Sequence, residues 1–278
     1  MAAILDLGGR RYDLSSRALV MGILNRTPDS FYDKGTYFSM GGFLDRAAEL
    51  VDQGADILDV GGVKAGPGPE VGLEEELERV VPAIEALTAR FDLPVSVDTW
   101  RAAVAEASYK AGAVVGNDIS AFADPDYLPV AAAAGAAVVA THIRLAPRVP
   151  DPEPHYDDVV VTVVDVLRSR ARAAEDAGIP PERIMVDAGL DLGKTWQQSV
   201  LLLRASPALA ALGYPVLLSA SNKTFLGRML DLDIDSRREA SLAACAIGIG
   251  RGCRILRVHD VRGARRVRDT MAALLEAR

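Results

Sequence analysis

The sequence predicts a (β/α)8 TIM barrel folded as a single α/β domain, on three observations. Eight short runs rich in β-branched residues each end in a polar or glycine tip: Val20 to Asn25, Ile57 to Gly62, Val95 to Thr99, Val114 to Ser120, Ala137 to Ile143, Ile184 to Gly189, Val216 to Ser221 and Ile255 to Asp260. Each run is followed by a stretch that reads as a helix. The chain has 278 residues, 50% of them hydrophobic, close to one barrel of roughly 250 residues with a large core. Such barrels place their chemistry at the strand tips, so the polar tips mark where function is expected.

The elements follow in order. Met1 to Ser16 reads as a short β-hairpin turning at Gly8-Gly9 and plugging the barrel bottom. The first helix spans Gly42 to Gly54, with Phe43, Leu44, Ala47, Ala48 and Val51 at helical spacing and Gly54 as its stop. The second starts near Gly72 and carries Leu73, Leu77, Val80, Val81 and Ile84. The third covers Arg101 to Ala111, the short fourth Pro125 to Gly135, and the long fifth Val159 to Gly178. The last three follow Trp196, Thr224 and Gly263. Three connections on the tip side are loop-like: Arg26 to Gly41, Val63 to Gly72 and Leu145 to Asp158. Long loops on that side usually cover an active site.

Composition narrows the class. A net charge of −7 argues against nucleic acid or an anionic membrane as partner. Basic residues cluster from Arg251 to Arg268, where a local phosphate site or a solvated basic helix are both open. Cys245 and Cys253 suit a reducing compartment and, with only His142, His155 and His259 available, form no metal pattern. No signal-peptide pattern is visible at the N-terminus, and no uncharged apolar run approaches the roughly 20 residues of a membrane span. The expectation is a soluble cytoplasmic protein.

The strand tips supply Asn25, Asp59, Asp98, Asn117, Asp118, Asp187, Ser221, Lys223, Arg257 and His259. Carboxylates at Asp98 and Asp187 can each accept two hydrogen bonds from an amidine-like edge, and Asn117 offers a donor and an acceptor. Lys223 can hold a carbonyl or ring nitrogen; Arg257 can stack on a flat ring while binding a phosphate oxygen. The set suits a flat, nitrogen-rich heterocycle with an anionic arm. Ordinary barrel polarity is the alternative for any one residue, and for Asp59 bonding to neighbouring backbone is favoured.

Met21-Gly22-Ile23-Leu24-Asn25-Arg26-Thr27-Pro28-Asp29-Ser30-Phe31 closely resembles the first signature of the dihydropteroate synthase family. Asp59-Val60-Gly61-Gly62, Ser96-Val97-Asp98-Thr99, Asn117-Asp118-Ile119-Ser120 and Asp187-Ala188-Gly189 follow in the family's order. So do Ser221-Asn222-Lys223-Thr224-Phe225-Leu226-Gly227 and Arg257-Val258-His259-Asp260-Val261. The resemblance implies binding of a dihydropterin pyrophosphate, expulsion of pyrophosphate, and joining of the pterin methylene to the amine of p-aminobenzoate, a step of folate biosynthesis. It implies that Asp98, Asn117, Asp187, Lys223 and Arg257 hold the pterin, that Arg257 and His259 hold phosphate, and that Ser221 lies in the second-substrate region. It implies that Asn25 helps bind magnesium accompanying the pyrophosphate, and that the protein is a homodimer through its last helices. The apolar stretch Ala240, Leu242, Ala243, Ala246 and Ile247 suits that contact or ordinary barrel packing. No nucleophilic side chain is required, and the sequence shows no Ser-His-Asp or Cys-His arrangement.

Departures from the family pattern concentrate in the parts that close the site. Where the second loop usually reads Gly-Gly-Glu-Ser-Thr-Arg-Pro-Gly, this chain has Gly61-Gly62-Val63-Lys64-Ala65-Gly66-Pro67-Gly68, so a hydroxyl and a guanidinium are gone. In the first loop a valine is Arg26, a serine Tyr32 and a glycine Lys34. After the sixth strand a glycine becomes Asp191, adding charge near an anionic substrate, and a phenylalanine becomes Leu192. After the seventh, Ser-Arg-Lys becomes Ser221-Asn222-Lys223; after the fifth, Met-His-Met-Arg-Gly becomes Thr141-His142-Ile143-Arg144-Leu145. Loss of one transition-state donor can cost on the order of 3 kcal/mol. The expectation is a homologue with a retained or weakened pocket for a pterin or pterin pyrophosphate that lacks or nearly lacks synthase activity. The alternatives are an active synthase, or a transferase with another nucleophile and a new anion site at Arg26, Lys34 and Lys64.

Overall fold

A computed structural model describes residues 4–27 and 39–277. Strands β1 (Ile4–Leu7) and β2 (Arg10–Asp13) form the expected antiparallel hairpin. The repeating units are β3 (Leu19–Asn25) with α1 (Met40–Gln53), β4 (Ile57–Gly61) with α2 (Leu73–Arg90), and β5 (Val95–Asp98) with α3 (Ala102–Lys110). Then come β6 (Val115–Asp118) with α4 (Tyr127–Ala133), β7 (Ala137–Thr141) with α5 (Val159–Asp176), and β8 (Ile184–Asp187) with α6 (Trp196–Arg204) and α7 (Ser206–Ala210). Last are β9 (Val216–Leu218) with α8 (Thr224–Leu230) and α9 (Arg238–Gly250), and β10 (Cys253–Val258) with α10 (Val261–Glu276). Strands β3 to β10 pair in parallel and close a barrel in the order β10-β3-β4-β5-β6-β7-β8-β9. The predicted fold class is the observed one.

The strands are apolar on both faces because each faces the barrel interior on one side and helices on the other. Val20, Leu58, Val60, Val97, Val138, Val186 and Leu256 pack outward into the helical layer. Leu19, Met21, Ile57, Val115, Val139, Met185, Leu217 and Ile255 form a separate inner cluster with Leu5, Leu7 and Leu14 of the N-terminal segment. The hairpin thus plugs the barrel bottom, and Arg183 ties it there by an ion pair to Asp6 at 2.8 Å.

Side chains alternate with period two along a strand. Counting up from the inner apolar cluster, Met21 leads to Asn25, Ile57 to Asp59, Val115 to Asn117, Met185 to Asp187, and Ile255 to Arg257 and His259. The polar tips therefore sit directly above the plug, on the inner face. Asp118 has the opposite parity.

Several boundaries differ from expectation. The last helix begins at Val261, before Gly263, because the Asp260 carboxylate accepts the Gly263 N–H at 2.8 Å and caps its first turn. Arg238–Gly250, which the sequence offers as an apolar stretch, is a helix in which Ala240 and Leu242 pack on the core while Ala243 and Ile247 are exposed. The basic C-terminal run is not uniformly solvated. Arg254 is buried and donates to the Leu14 carbonyl at 2.8 Å, and Arg268 is buried and pairs with Asp56 at 2.6 Å. Both hold the structure together. Among the described residues no helix is long and apolar enough to cross a membrane.

Candidate active site at the strand tips

The deepest polar layer is built by four strands. Arg257 on β10 reaches across the barrel, donating from Nε to Asp59 on β4 at 2.7 Å and from Nη2 to Asp98 on β5 at 2.6 Å. The Asn117 amide on β6 stands 3.4 Å from both Asp59 oxygens. Asp59 is fully buried, and its partners are this guanidinium and amide, not the neighbouring backbone as the sequence suggested. A buried carboxylate demands such partners because the unpaired charge is expensive to desolvate. Burial pushes the Asp98 carboxyl up to about 7, against the pull of Arg257. The two carboxylates hold the Arg257 guanidinium well above its usual range, outweighing its own desolvation.

Asp187 lies at the tip of β8, buried, with its carboxylate accepting the Gly189 N–H at 2.8 Å; burial raises its pKa. Lys223, from the loop between β9 and α8, donates to the Leu190 carbonyl at 3.0 Å. Ser221 Oγ accepts the His259 backbone N–H at 3.2 Å and lies 3.0 Å from His259 Nδ1. That hydroxyl holds the imidazole and the backbone of His259 together. Burial and then the charge of Arg257 push the His259 pKa down to about 3, so the ring is neutral at physiological pH. Asn25 is half-buried at the tip of β3, paired in register with Gly61. The structure thus brings Asp98 and Asp59 together through Arg257, Asn117 beside Asp59, and Ser221 into contact with His259. Asp187 and Lys223 meet the same β8 loop, through the Gly189 N–H and the Leu190 carbonyl.

Other expectations need correction. Asp118 points away from the barrel interior and accepts the Ser120 and Phe122 N–H groups at 2.6 and 2.7 Å, shaping its own turn. Asp191, expected to add charge near an anionic substrate, accepts the Phe225 N–H of α8 at 3.2 and 3.3 Å and the Ser199 hydroxyl at 3.4 Å. Arg26 is buried with its guanidinium 5.3 Å from the Phe43 ring and Nε 3.4 Å from the Arg79 carbonyl. Lys34 and Tyr32 lie outside the described residues.

The rim is held by groups the sequence reasoning did not single out. Arg79 donates to Gly62 O at 2.7 Å, Arg101 to Val71 O at 2.8 Å, and Arg148 to Lys64 O at 3.1 Å and to Pro69 O. The Arg148 backbone N–H adds a bond to Ala65 O at 3.0 Å, from a left-handed φ of 68°. The second loop is thus fastened by its carbonyl oxygens to α2, the start of α3 and the loop after β7. Behind it, fully buried Glu76 bonds Thr99 at 2.7 Å and Arg101 at 2.5 Å. A second cluster joins Lys194 and His142 to the β8 loop. Carbonyl acceptors exist at every residue, so no pattern in the sequence announces these partners.

With this geometry in place, relatives can be placed beside it. A family model described as "Pterin binding enzyme" matches residues 21–259. Dihydropteroate synthase of Bacillus subtilis is 41% identical over 93% of this chain and 89% of its own length. A Mycobacterium tuberculosis protein named "Inactive dihydropteroate synthase 2" is 43% identical over 93% of this chain and 83% of its own length. The crystal structure of Yersinia pestis dihydropteroate synthase in a sulfonamide complex superposes with a TM-score of 0.94 at 36% identity, covering 99% of this chain and 100% of that one. The chain is a pterin-binding-type TIM barrel. It belongs to the dihydropteroate synthase family, which among its members includes both synthases and proteins named as inactive.

Proposed function

We propose that this protein keeps the pterin pocket of a dihydropteroate synthase and lacks, or nearly lacks, the condensation with p-aminobenzoate. The observation that carries this reading is the contrast at one barrel mouth. Asp59, Asp98, Asn117 and Arg257 form a continuous polar floor, whereas positions 65 and 66 of the loop above it carry neither hydroxyl nor guanidinium. On this reading Asn117, Asp98 and Asp187 take the amino-pyrimidine edge of a pterin or pterin pyrophosphate, and Lys223 takes a ring acceptor. Arg257 leaves part of its carboxylate pairing to lie against the ring. The neutral His259 ring donates an N–H to a phosphate oxygen.

Breaking the bond between the pterin methylene and pyrophosphate builds positive charge on carbon and negative charge on the leaving group. Preorganised donors stabilise the second. Among the described residues no cluster of three or more His, Cys, Asp or Glu could hold a metal alone. A single amide oxygen at Asn25 fits magnesium that takes most of its ligands from phosphate and water. That ion would neutralise charge on the pyrophosphate. The exposed Ala243 and Ile247 of α9 are the surface on which a homodimer would form, and a monomer by analytical ultracentrifugation would remove this element.

The test is calorimetric titration with 6-hydroxymethyl-7,8-dihydropterin pyrophosphate and magnesium, alongside a product assay with p-aminobenzoate. Binding without product supports the proposal. Turnover of roughly 1 per second or more, typical of enzymes, would make it a working synthase, the reading favoured by the complete floor. If the missing loop groups explain inactivity, Ala65→Thr with Gly66→Arg should raise product formation. Position 66 has open space where a Cβ would stand. Asn222→Arg belongs in a separate variant, because Asn222 has a φ of 56°, where a longer side chain costs about 1 kcal/mol.

A further inference from the structure

Lys194 is nine-tenths buried, yet none of the site residues implied by the family resemblance is Lys194. Its Nζ lies 2.9 Å from His142 Nδ1, 3.2 Å from the His142 carbonyl, 2.9 Å from the Gly189 carbonyl and 2.8 Å from the Leu192 carbonyl, and burial pushes its pKa down to about 7. His142, at the end of β7, is buried and neutral: desolvation and the Lys194 charge push it down to about 3. Its Nδ1 and the Lys194 amine share one hydrogen bond at 2.9 Å.

The turn gathered around this amine touches two pocket residues. The Gly189 N–H holds the Asp187 carboxylate at 2.8 Å, and the Leu190 carbonyl holds the Lys223 ammonium at 3.0 Å. Chain approach at the turn is close enough that a Cβ on Gly189, whose φ is 65°, would sit 1.9 Å from the His142 carbonyl oxygen. Asp191 continues the turn with a φ of 67° and reaches the Phe225 N–H of α8. Asp191, a non-glycine residue in the left-handed region, is held there by its surroundings, and Lys194 supplies several contacts to the turn from one atom.

We propose that Lys194 is a positioning residue for the pterin pocket. Seated on His142, it fixes the turn from Asp187 to Leu192, and through the turn it sets the Asp187 carboxylate and the Lys223 ammonium together. This rests on the pterin reading above. It goes beyond it by assigning the pterin end of the pocket, not the phosphate end, to the Lys194–His142 contact.

The experiment compares wild type and Lys194→Met in two titrations: 6-hydroxymethyl-7,8-dihydropterin, which has no phosphate, and magnesium pyrophosphate alone. The expected result is at least a tenfold loss of affinity for the pterin with pyrophosphate affinity unchanged. Equal pterin affinity in both proteins overturns the proposal. So does a parallel loss of both ligands, which is what general loosening of the barrel would give. Absence of pterin binding to wild type overturns the pterin reading itself and the proposal with it, so the two failures are distinguishable. If Lys194→Met loses its folded circular-dichroism signal, Lys194→Gln, which keeps two donors, replaces it: a selective pterin loss supports the assignment and equal affinities overturn it.

Discussion

The floor and the rim of this barrel mouth are fastened by different chemistry. On the floor, side chain meets side chain: the Arg257 guanidinium with the Asp59 and Asp98 carboxylates, and the Asn117 amide with Asp59. On the rim, side chain meets backbone: Arg79, Arg101, Arg148 and Lys194 all donate to main-chain carbonyl oxygens. The difference teaches how each region can evolve. A side-chain pair breaks when either residue changes, so the floor must be kept whole. A carbonyl acceptor survives any substitution at its own position, so a loop fastened by its carbonyls can lose a threonine and an arginine and still hold its shape.

The largest effect that would sharpen this contrast is at the floor. Arg257→Met leaves Asp59 and Asp98 buried without their cation, and should lower unfolding stability by about 3–5 kcal/mol in urea melts, with pterin binding lost. A change under about 1 kcal/mol would break the comparison.

Next is pH. The folded Asp98 pKa, about 7, stands above its ordinary value of 3.8, so between those values the native state holds the proton more tightly than the unfolded chain. Stability then falls as pH rises through that window. The stability of wild type relative to Asp98→Asn should therefore decline from about pH 4 to about pH 7 and be flat above. Thermal melts across that range check it, and a difference that grows with pH would contradict the burial argument.

At the rim the effects are smaller. Arg148→Ala removes bonds to Lys64 and Pro69 carbonyls from a half-buried side chain. It should cost about 1 kcal/mol while markedly speeding proteolytic cleavage within residues 63–72. Unchanged cleavage would mean that Arg79 and Arg101 hold the loop alone. The smallest effect is spectroscopic. With both pKa values pushed down to about 3, the His142 and His259 imidazole signals should show no titration between pH 5 and 8 by NMR. A midpoint inside that range for His259 would show that its ring is reached by solvent.

The eight strands were legible because they are buried on both faces and each ends at a polar tip, as at Val95 to Asp98. The floor was legible too, since period two carries Ile255 to Arg257 and Met185 to Asp187 on one face. Asp118 could be separated only by counting parity from the plug. Asp59 was underestimated because its partner, Arg257, lies 198 residues away in sequence.

By itself the sequence determined the barrel, the N-terminal plug, the family and the polar side chains available at the mouth. These follow from local periodicity and from residue types that are expensive to bury unpaired. Only the tertiary structure decided who pairs with whom: Arg257 with two carboxylates, Asp191 with α8, Arg26 with Phe43, Lys194 with the His142 ring and three carbonyls. Such partners are chosen by closure of the barrel and by backbone acceptors, which every residue carries and which therefore leave no mark in the order of the amino acids.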